Sequence, residues 1–177
     1  MSIIVCPLSR APEIARDKKP SRVVSLLDPA SRFPTLDGYG NDRHLCIAAH
    51  DINEEAPGMD ACCDVRMRRI LDFVAPWRRE QPILIHCYAG ISRSTATAYI
   101  TACLHNPGID EGEIAMALRL ASPSAWPNRR FVALADAELG RGGRMSRAIE
   151  EIGEGHNWYD IGEAQPFTLR SDFGSGA

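Results

Sequence analysis

The stretch PILIHCYAGISRST, residues 82–95, constrains the fold more than any other part of this chain. An apolar run, ILIH, ends at Cys87. Five small or uncharged residues follow (Tyr88, Ala89, Gly90, Ile91 and Ser92), and then Arg93 and Ser94. The run predicts a short buried strand, and SRSTATAYITACLH (92–105) predicts a helix closed by the NPG that follows. The chain must therefore reverse within YAGIS, where Ala89 and Gly90 are small enough to let the loop close tightly. A closed loop at a helix start presents a ring of backbone N–H groups to its centre. With the positive helix end, that ring binds an oxyanion. The same field lowers a cysteine pKa from about 8.5 towards roughly 3.5–7.5, favouring thiolate at neutral pH. Arg93 is placed to fold back over the anion, its planar fork matching two oxygens at once. Ser94 is placed to donate to the sulfur, and His86 to orient the loop by bonding its backbone.

Around this segment the chain alternates. IIVCPL (3–8), RVVSLLD (22–28) and HLCIAA (44–49) predict further strands, and APEIARDKKP predicts a short helix. The stretches 29–43 and 50–60 are loop by composition. Cys63, Met67, Ile70, Val74 and Trp77 fall on one apolar face, predicting a helix from Ala61 to about Glu80. Asp110 and Glu113 form a capping-box pattern before another helix, and PNRRFVALADAELG makes one more, with Gly140 as its stop. Strands alternating with helices imply an α/β fold, a central, mainly parallel sheet flanked by helices. Cys87 then lies at a strand's carboxyl end, where such sheets bind ligands. One domain over 1–155 is expected, followed by an irregular segment, 156–177, whose end SDFGSGA is loose.

Composition narrows the function class. The chain has 177 residues, 45% hydrophobic and 24% charged, with net charge −3. That balance gives no reason to expect nucleic-acid binding, and no apolar run approaches the roughly 18 residues of a membrane span. The opening MSIIVCPLSRAPE has too short an apolar run for a signal peptide, so the expected location is cytoplasmic, with the six cysteines as thiols. They include no CxxC pair, and His44, His50, His105 and His156 have no ligand spacing, so neither metal nor cofactor is expected. GRGGR (140–144) follows a helix rather than a strand and reads as a turn.

The motif HCYAGISRS, residues 86–94, resembles the H-C-x5-R-S signature loop of the cysteine-dependent protein tyrosine phosphatases. More narrowly, the chain is similar to their small dual-specificity branch over roughly residues 20–140. The resemblance implies a phosphotyrosine-phosphatase-like fold, Cys87 as nucleophile, Arg93 and the 88–93 loop as phosphate binders, and Ser94 assisting release of the sulfur. It also implies an acid on a separate upstream loop, typically after an apolar strand. Asp51 fits, although it lies a few residues further from the cysteine than is usual. Asp60, Asp64, Glu54 and Glu55 compete, but Asp60 and Asp64 flank a helix start, where acidic residues complement the dipole. Arg129 and Arg130 are cations at a helix start; they either hold Asn128 near the site, contact a second anionic group, or are merely solvated.

The substrate implied is a phosphorylated protein or a small phosphomonoester. The loop carries no charge, unlike many loops directed at lipid or inositol phosphates. A lipid, inositol or other small-molecule phosphatase, a noncatalytic phosphate-binding module, and a sulfurtransferase or arsenate-reducing relative are the competing readings.

Overall fold

The structure is a computed structural model and describes residues 2–156 and 158–174. Its centre is a sheet of five strands: β1 (Ser2–Pro7), β2 (Arg22–Leu27), β3 (His44–Ala48), β4 (Ile83–Cys87) and β5 (Phe167–Arg170). Their spatial order is β3-β2-β4-β1-β5. The first four run parallel, and β5 pairs antiparallel with β1. The β4 strand is buried at all five positions, the pattern of a strand covered on both faces. Helix α1 (Ala11–Lys18) covers one face, packing Ala11, Ile14 and Ala15 against Ile4, Cys6, Val23 and Leu84. The larger core on the other face is closed by α2 (Asp64–Val74), α3 (Arg93–His105), α4 (Glu111–Ala121), α5 (Arg129–Glu138) and α6 (Arg144–Ile152). A short α7 (Trp158–Ile161) precedes β5.

Helix α3 buries every residue from Arg93 to Cys103. It is therefore apolar or small all round rather than two-faced. Its Thr97 and Thr101 hydroxyls donate to the carbonyls of Arg93 and Thr97, one turn back. The N-terminus of this helix is thereby held rigidly in the core, directly beyond the end of β4.

The structure departs from the sequence-based expectation in three places. The helix expected over 61–80 is α2, which stops at Val74 because Pro76 follows and disfavours helical backbone before it. Trp77 still reaches the core, but from a turn, donating Nε1–H to the Gln81 carbonyl and meeting His105 edge-on. The turn GRGGR leads into α6, which the sequence does not announce. Its cap comes from another helix: the buried Asp136 carboxylate on α5 accepts from the N–H groups of Gly143, Met145 and Ser146. Finally, the segment expected to be irregular contributes β5 to the sheet. Beyond it, Ser171 and Phe173 are buried, and Asn106 holds both, donating to the Ser171 carbonyl and accepting from Phe173 N–H. Of the end expected to be loose, residues 175–177 lie outside the described residues.

Because three N–H groups depend on one buried carboxylate, Asp136→Ala should lower the unfolding free energy by about 2–4 kcal/mol, measured by urea denaturation.

Candidate active site

The loop between β4 and α3 owes its shape to where its carbonyls go. Tyr88 O accepts from Leu8 N–H at 3.0 Å, and Ala89 O from Ala164 N–H at 2.8 Å. Ile91 O takes Trp126 N–H and the Thr95 hydroxyl, while Ser92 O takes the N–H groups of Ala96 and Asn128 and the same hydroxyl. A trans peptide is planar, so its C=O and the next residue's N–H point in opposite directions. With these four carbonyls turned outward, the N–H groups of Ala89, Gly90, Ser92 and Arg93 turn inward. Gly90 has φ +74°, and a Cβ there would sit 2.8 Å from the Pro7 nitrogen and 2.9 Å from the Cys6 carbonyl carbon. Only glycine fits that combination of left-handed backbone and contact.

Cys87 and Ser94 are buried side by side, Sγ and Oγ 3.1 Å apart. When the sulfur is a thiolate, the hydroxyl must be the donor. Arg93, only 4% exposed at its side chain, is held by Nη1, which donates to Asp28 Oδ1 at 2.8 Å and to the Ala49 carbonyl at 2.7 Å. Its Nε is buried with no hydrogen-bond partner, and the nearest anion is Asp51 Oδ2 at 3.6 Å. A buried guanidinium donor is costly to leave unpaired, so this arrangement is suited to an incoming oxyanion. Asp28 escapes sequence reading because it follows β2 directly before Pro29, where an Asp-Pro pair looks like a simple strand stop.

Asp51 follows β3 and reaches the same cavity. Its Oδ1 accepts from the Ser92 hydroxyl at 2.6 Å and from Asn128 Nδ2 at 2.8 Å. Asn128 in turn caps α5, accepting from Phe131 N–H. The loop carrying Asp51 is cross-braced. His50 bonds Asp60 twice, through its own N–H to the Asp60 carbonyl and by accepting Asp60 N–H at Nδ1. Arg130 donates to the Cys62 carbonyl and to Glu55, and Arg129 N–H donates to Asn53 Oδ1. Arg130 is thus neither solvated nor turned to the cavity; it fastens the loop. Of the five carboxylates considered from sequence, Asp51 lines the cavity with Cys87. Glu55 pairs with Arg130, and Asp64 begins α2.

His86 sits behind the loop and does not line the cavity. Side chains alternate along β4, so the ring faces α1, away from Cys87, and its hydrogen bond is to Ser25 Oγ of β2 at 2.5 Å. Burial pulls its pKa down to about 4; the Cys87 backbone opposes that shift, and His44 adds to it.

The cavity above Cys87 measures about 490 Å³. Tyr88, Ile91, Trp126 and Pro127 form its apolar walls, and Asp51, Asn53 and Asn128 its polar side. Tyr88 stands 61% exposed at the rim. Gly162 also lines it, bringing the C-terminal segment to the site. Among the described residues no group of three or more His, Cys, Asp or Glu side chains converges as a metal site.

No family model and no curated protein matches the sequence. The fold is nonetheless that of solved protein tyrosine and dual-specificity phosphatases. The PTP-2 phosphatase of Cydia pomonella aligns at TM-score 0.56 and 22% identity, over 75% of this chain and 83% of its own. DUSP15 aligns at 0.55 and 22% identity, over 83% and 89%. Human DUSP28 aligns at 0.56 and 17% identity, over 78% and 93%.

Two outcomes are expected from this geometry. Asp28→Ala, which leaves Nη1 held by the Ala49 carbonyl alone, should weaken vanadate binding about tenfold. Asp28→Asn, which keeps an acceptor and removes a competing charge, should bind at least as well; titration of tyrosine or tryptophan fluorescence with vanadate reads both. Because the folded pKa of His86 lies below its ordinary 6.5, its neutral form belongs to the folded state. Its contribution is full above about pH 6.5 and is lost as pH falls towards about 4. The unfolding free energy of the native chain relative to His86→Gln should fall by about 3 kcal/mol across that window, measured by denaturation at each pH.

Proposed function

We propose that this protein is a phosphomonoester hydrolase using Cys87 as nucleophile, acting on phosphotyrosine and related phosphoesters of proteins. The observation that carries the reading is the unpaired, buried Nε of Arg93 beside a ring of inward N–H groups at Cys87. This is a site made for a tetrahedral oxyanion with a nucleophile at its base. The phosphatase fold supports it.

In the first step the Cys87 thiolate attacks phosphorus, and the P–O bond to the leaving group breaks. Asp51 gives that oxygen its proton, so the alcohol departs neutral and a phosphocysteine remains. In the second, water attacks the phosphocysteine while Asp51 takes back a proton. The P–S bond breaks, Ser94 donates to the departing thiolate, and inorganic phosphate leaves. The loop N–H groups and Arg93 hold the three equatorial oxygens throughout both steps. Asn128 and Ser92 fix the Asp51 carboxylate by one oxygen, which leaves Oδ2 to face the leaving group. The apolar walls formed by Tyr88, Trp126 and Pro127 favour an aromatic leaving group over a polyanionic one, and among the described residues no cation beyond Arg93 lines the cavity.

Phosphate release from para-nitrophenyl phosphate in the presence of EDTA is the test. The native chain should turn over and Cys87→Ser should be inactive. Asp51→Asn should be slower by about 10²–10⁴. A native chain that binds vanadate without turnover of aryl phosphate or phosphopeptides makes the loop a recognition module instead.

A further inference from the structure

The segment between α6 and β5 takes a path that sheet formation does not require. The pairing of β5 with β1 begins at Phe167, yet the chain before it is fastened at two places beside the cavity. At one end His156 N–H donates to the Pro123 carbonyl, and a Cβ on Gly155 would run into the Ser124 carbonyl. Backbone there lies directly on the corner that leads into Trp126 and Pro127. At the other end Ala164 N–H holds Ala89 O, and the Ser9 hydroxyl donates to Glu163 Oε2 at 2.6 Å. Between the two attachments the chain passes the cavity, which Gly162 lines.

The second attachment is a latch on the anion loop. Ser9 follows Leu8, whose N–H holds Tyr88 O, and Glu163 precedes Ala164, whose N–H holds Ala89 O. One side-chain hydrogen bond thus ties together the two backbone donors that grip neighbouring loop carbonyls, and it sets how close Gly162 stands to the cavity. Gly162 has φ +64°, and a Cβ there would meet open space. The backbone turns at that point with no side chain to occupy the cavity.

Two large apolar side chains stand exposed at this edge: Tyr88 on the loop, and Ile161, 43% exposed, one residue before Gly162. Ile161 is not among the residues that line the cavity, so a phosphate monoester small enough to sit inside leaves it in water. A phosphotyrosine carried in a polypeptide brings its neighbours to the rim, where apolar ones bury against the exposed side chains. We infer that residues 161–164 form a specificity wall, latched by Ser9 and Glu163, that selects phosphotyrosine flanked by apolar residues in a polypeptide. This deepens the phosphotyrosine reading of the cavity and rests on it. Ile161 is the residue that meets the substrate's flank, and Ser9 and Glu163 are positioning residues.

Fluorescence anisotropy of labelled phosphotyrosine peptides, titrated with the full chain carrying Cys87→Ser, reads the wall without turnover. A peptide with leucine on both sides of the phosphotyrosine should bind about tenfold more tightly than the same peptide with alanine there. Adding Ile161→Ser should cut that preference to about twofold or less. Ser9→Ala or Glu163→Ala, each of which opens the latch, should cut it likewise. Glu163→Gln, which keeps an acceptor for the hydroxyl, should retain it. Ser9, Ile161 and Glu163 are exposed, so these substitutions leave the fold intact. No binding of either peptide, no preference between them, or a preference unmoved by Ile161→Ser or by opening the latch overturns the inference. The expected pattern in a protein whose native chain releases no phosphate supports the wall and sinks the hydrolase reading alone.

Discussion

The planarity of the peptide bond turns the N–H groups of the 88–93 loop to its centre once their partner carbonyls are held outside, and the rest of the molecule is arranged to hold those carbonyls. Each outward carbonyl is held by a different part of the chain: Leu8 after β1, Ala164 before β5, the 126–128 corner, and α3 itself. The β1–β4 register makes the first of these possible, because it sets Pro7 beside Cys87. That pairing puts Leu8 N–H under Tyr88 and presses Gly90 against Cys6 and Pro7. The loop's shape is therefore a tertiary property, although its sequence is contiguous.

Electrostatics then divides Arg93. One nitrogen, Nη1, is committed to Asp28 and the Ala49 carbonyl, while Nε is buried without a hydrogen bond, 3.6 Å from Asp51 Oδ2. A guanidinium bonded at every nitrogen would be too well satisfied to bind substrate, and one bonded at none would be costly to bury and free to turn. Anchoring at one end solves both problems. The same economy operates on Asp51, fixed at Oδ1 by Ser92 and Asn128 while Oδ2 makes only the longer contact to Arg93 Nε. Arg130, a cation near a helix N-terminus, opposes the dipole locally. Its bonds to Cys62 O and Glu55 offset that cost by closing the loop that carries Asp51.

What could be read from sequence follows the range of the interactions. Strands β1, β2 and β4 are visible because burial on both faces writes them as apolar runs, the half-buried edge strand β3 because its residues are still mostly apolar, and the Cys87–Arg93–Ser94 spacing because strand, loop and helix are contiguous. Asp51 was one candidate among five, since only the fold decides which carboxylate reaches the cavity. Asp28, Ser25 and the α6 cap at Asp136 were not visible at all. Each acts on a partner distant in sequence or belonging to another element, and each has an ordinary local reading as a turn residue, a strand polar residue or a helix surface charge. Strand β5 was missed for a related reason. Its four residues alternate apolar and polar, with Phe167 and Leu169 facing the core, but the run is too short to stand out in sequence and pairs because β1 offers it an edge.

The two-residue period of β4 adds one more consequence. Successive side chains leave a strand on opposite faces, so Cys87 joins Ile83 and Ile85 on the side of α3, while His86 joins Leu84 under α1. A nucleophile at the end of a strand thus has its immediate neighbour on the far side of the sheet, out of reach of substrate and solvent. Groups on that side never compete for space in the cavity, and they sit in a layer whose low polarity strengthens each hydrogen bond they make. The sheet thus keeps two environments apart: the helix-rich face carries the cavity with Cys87, Arg93 and Asp51, and the α1 face carries the buried hydrogen bonds among Ser25, His44 and His86.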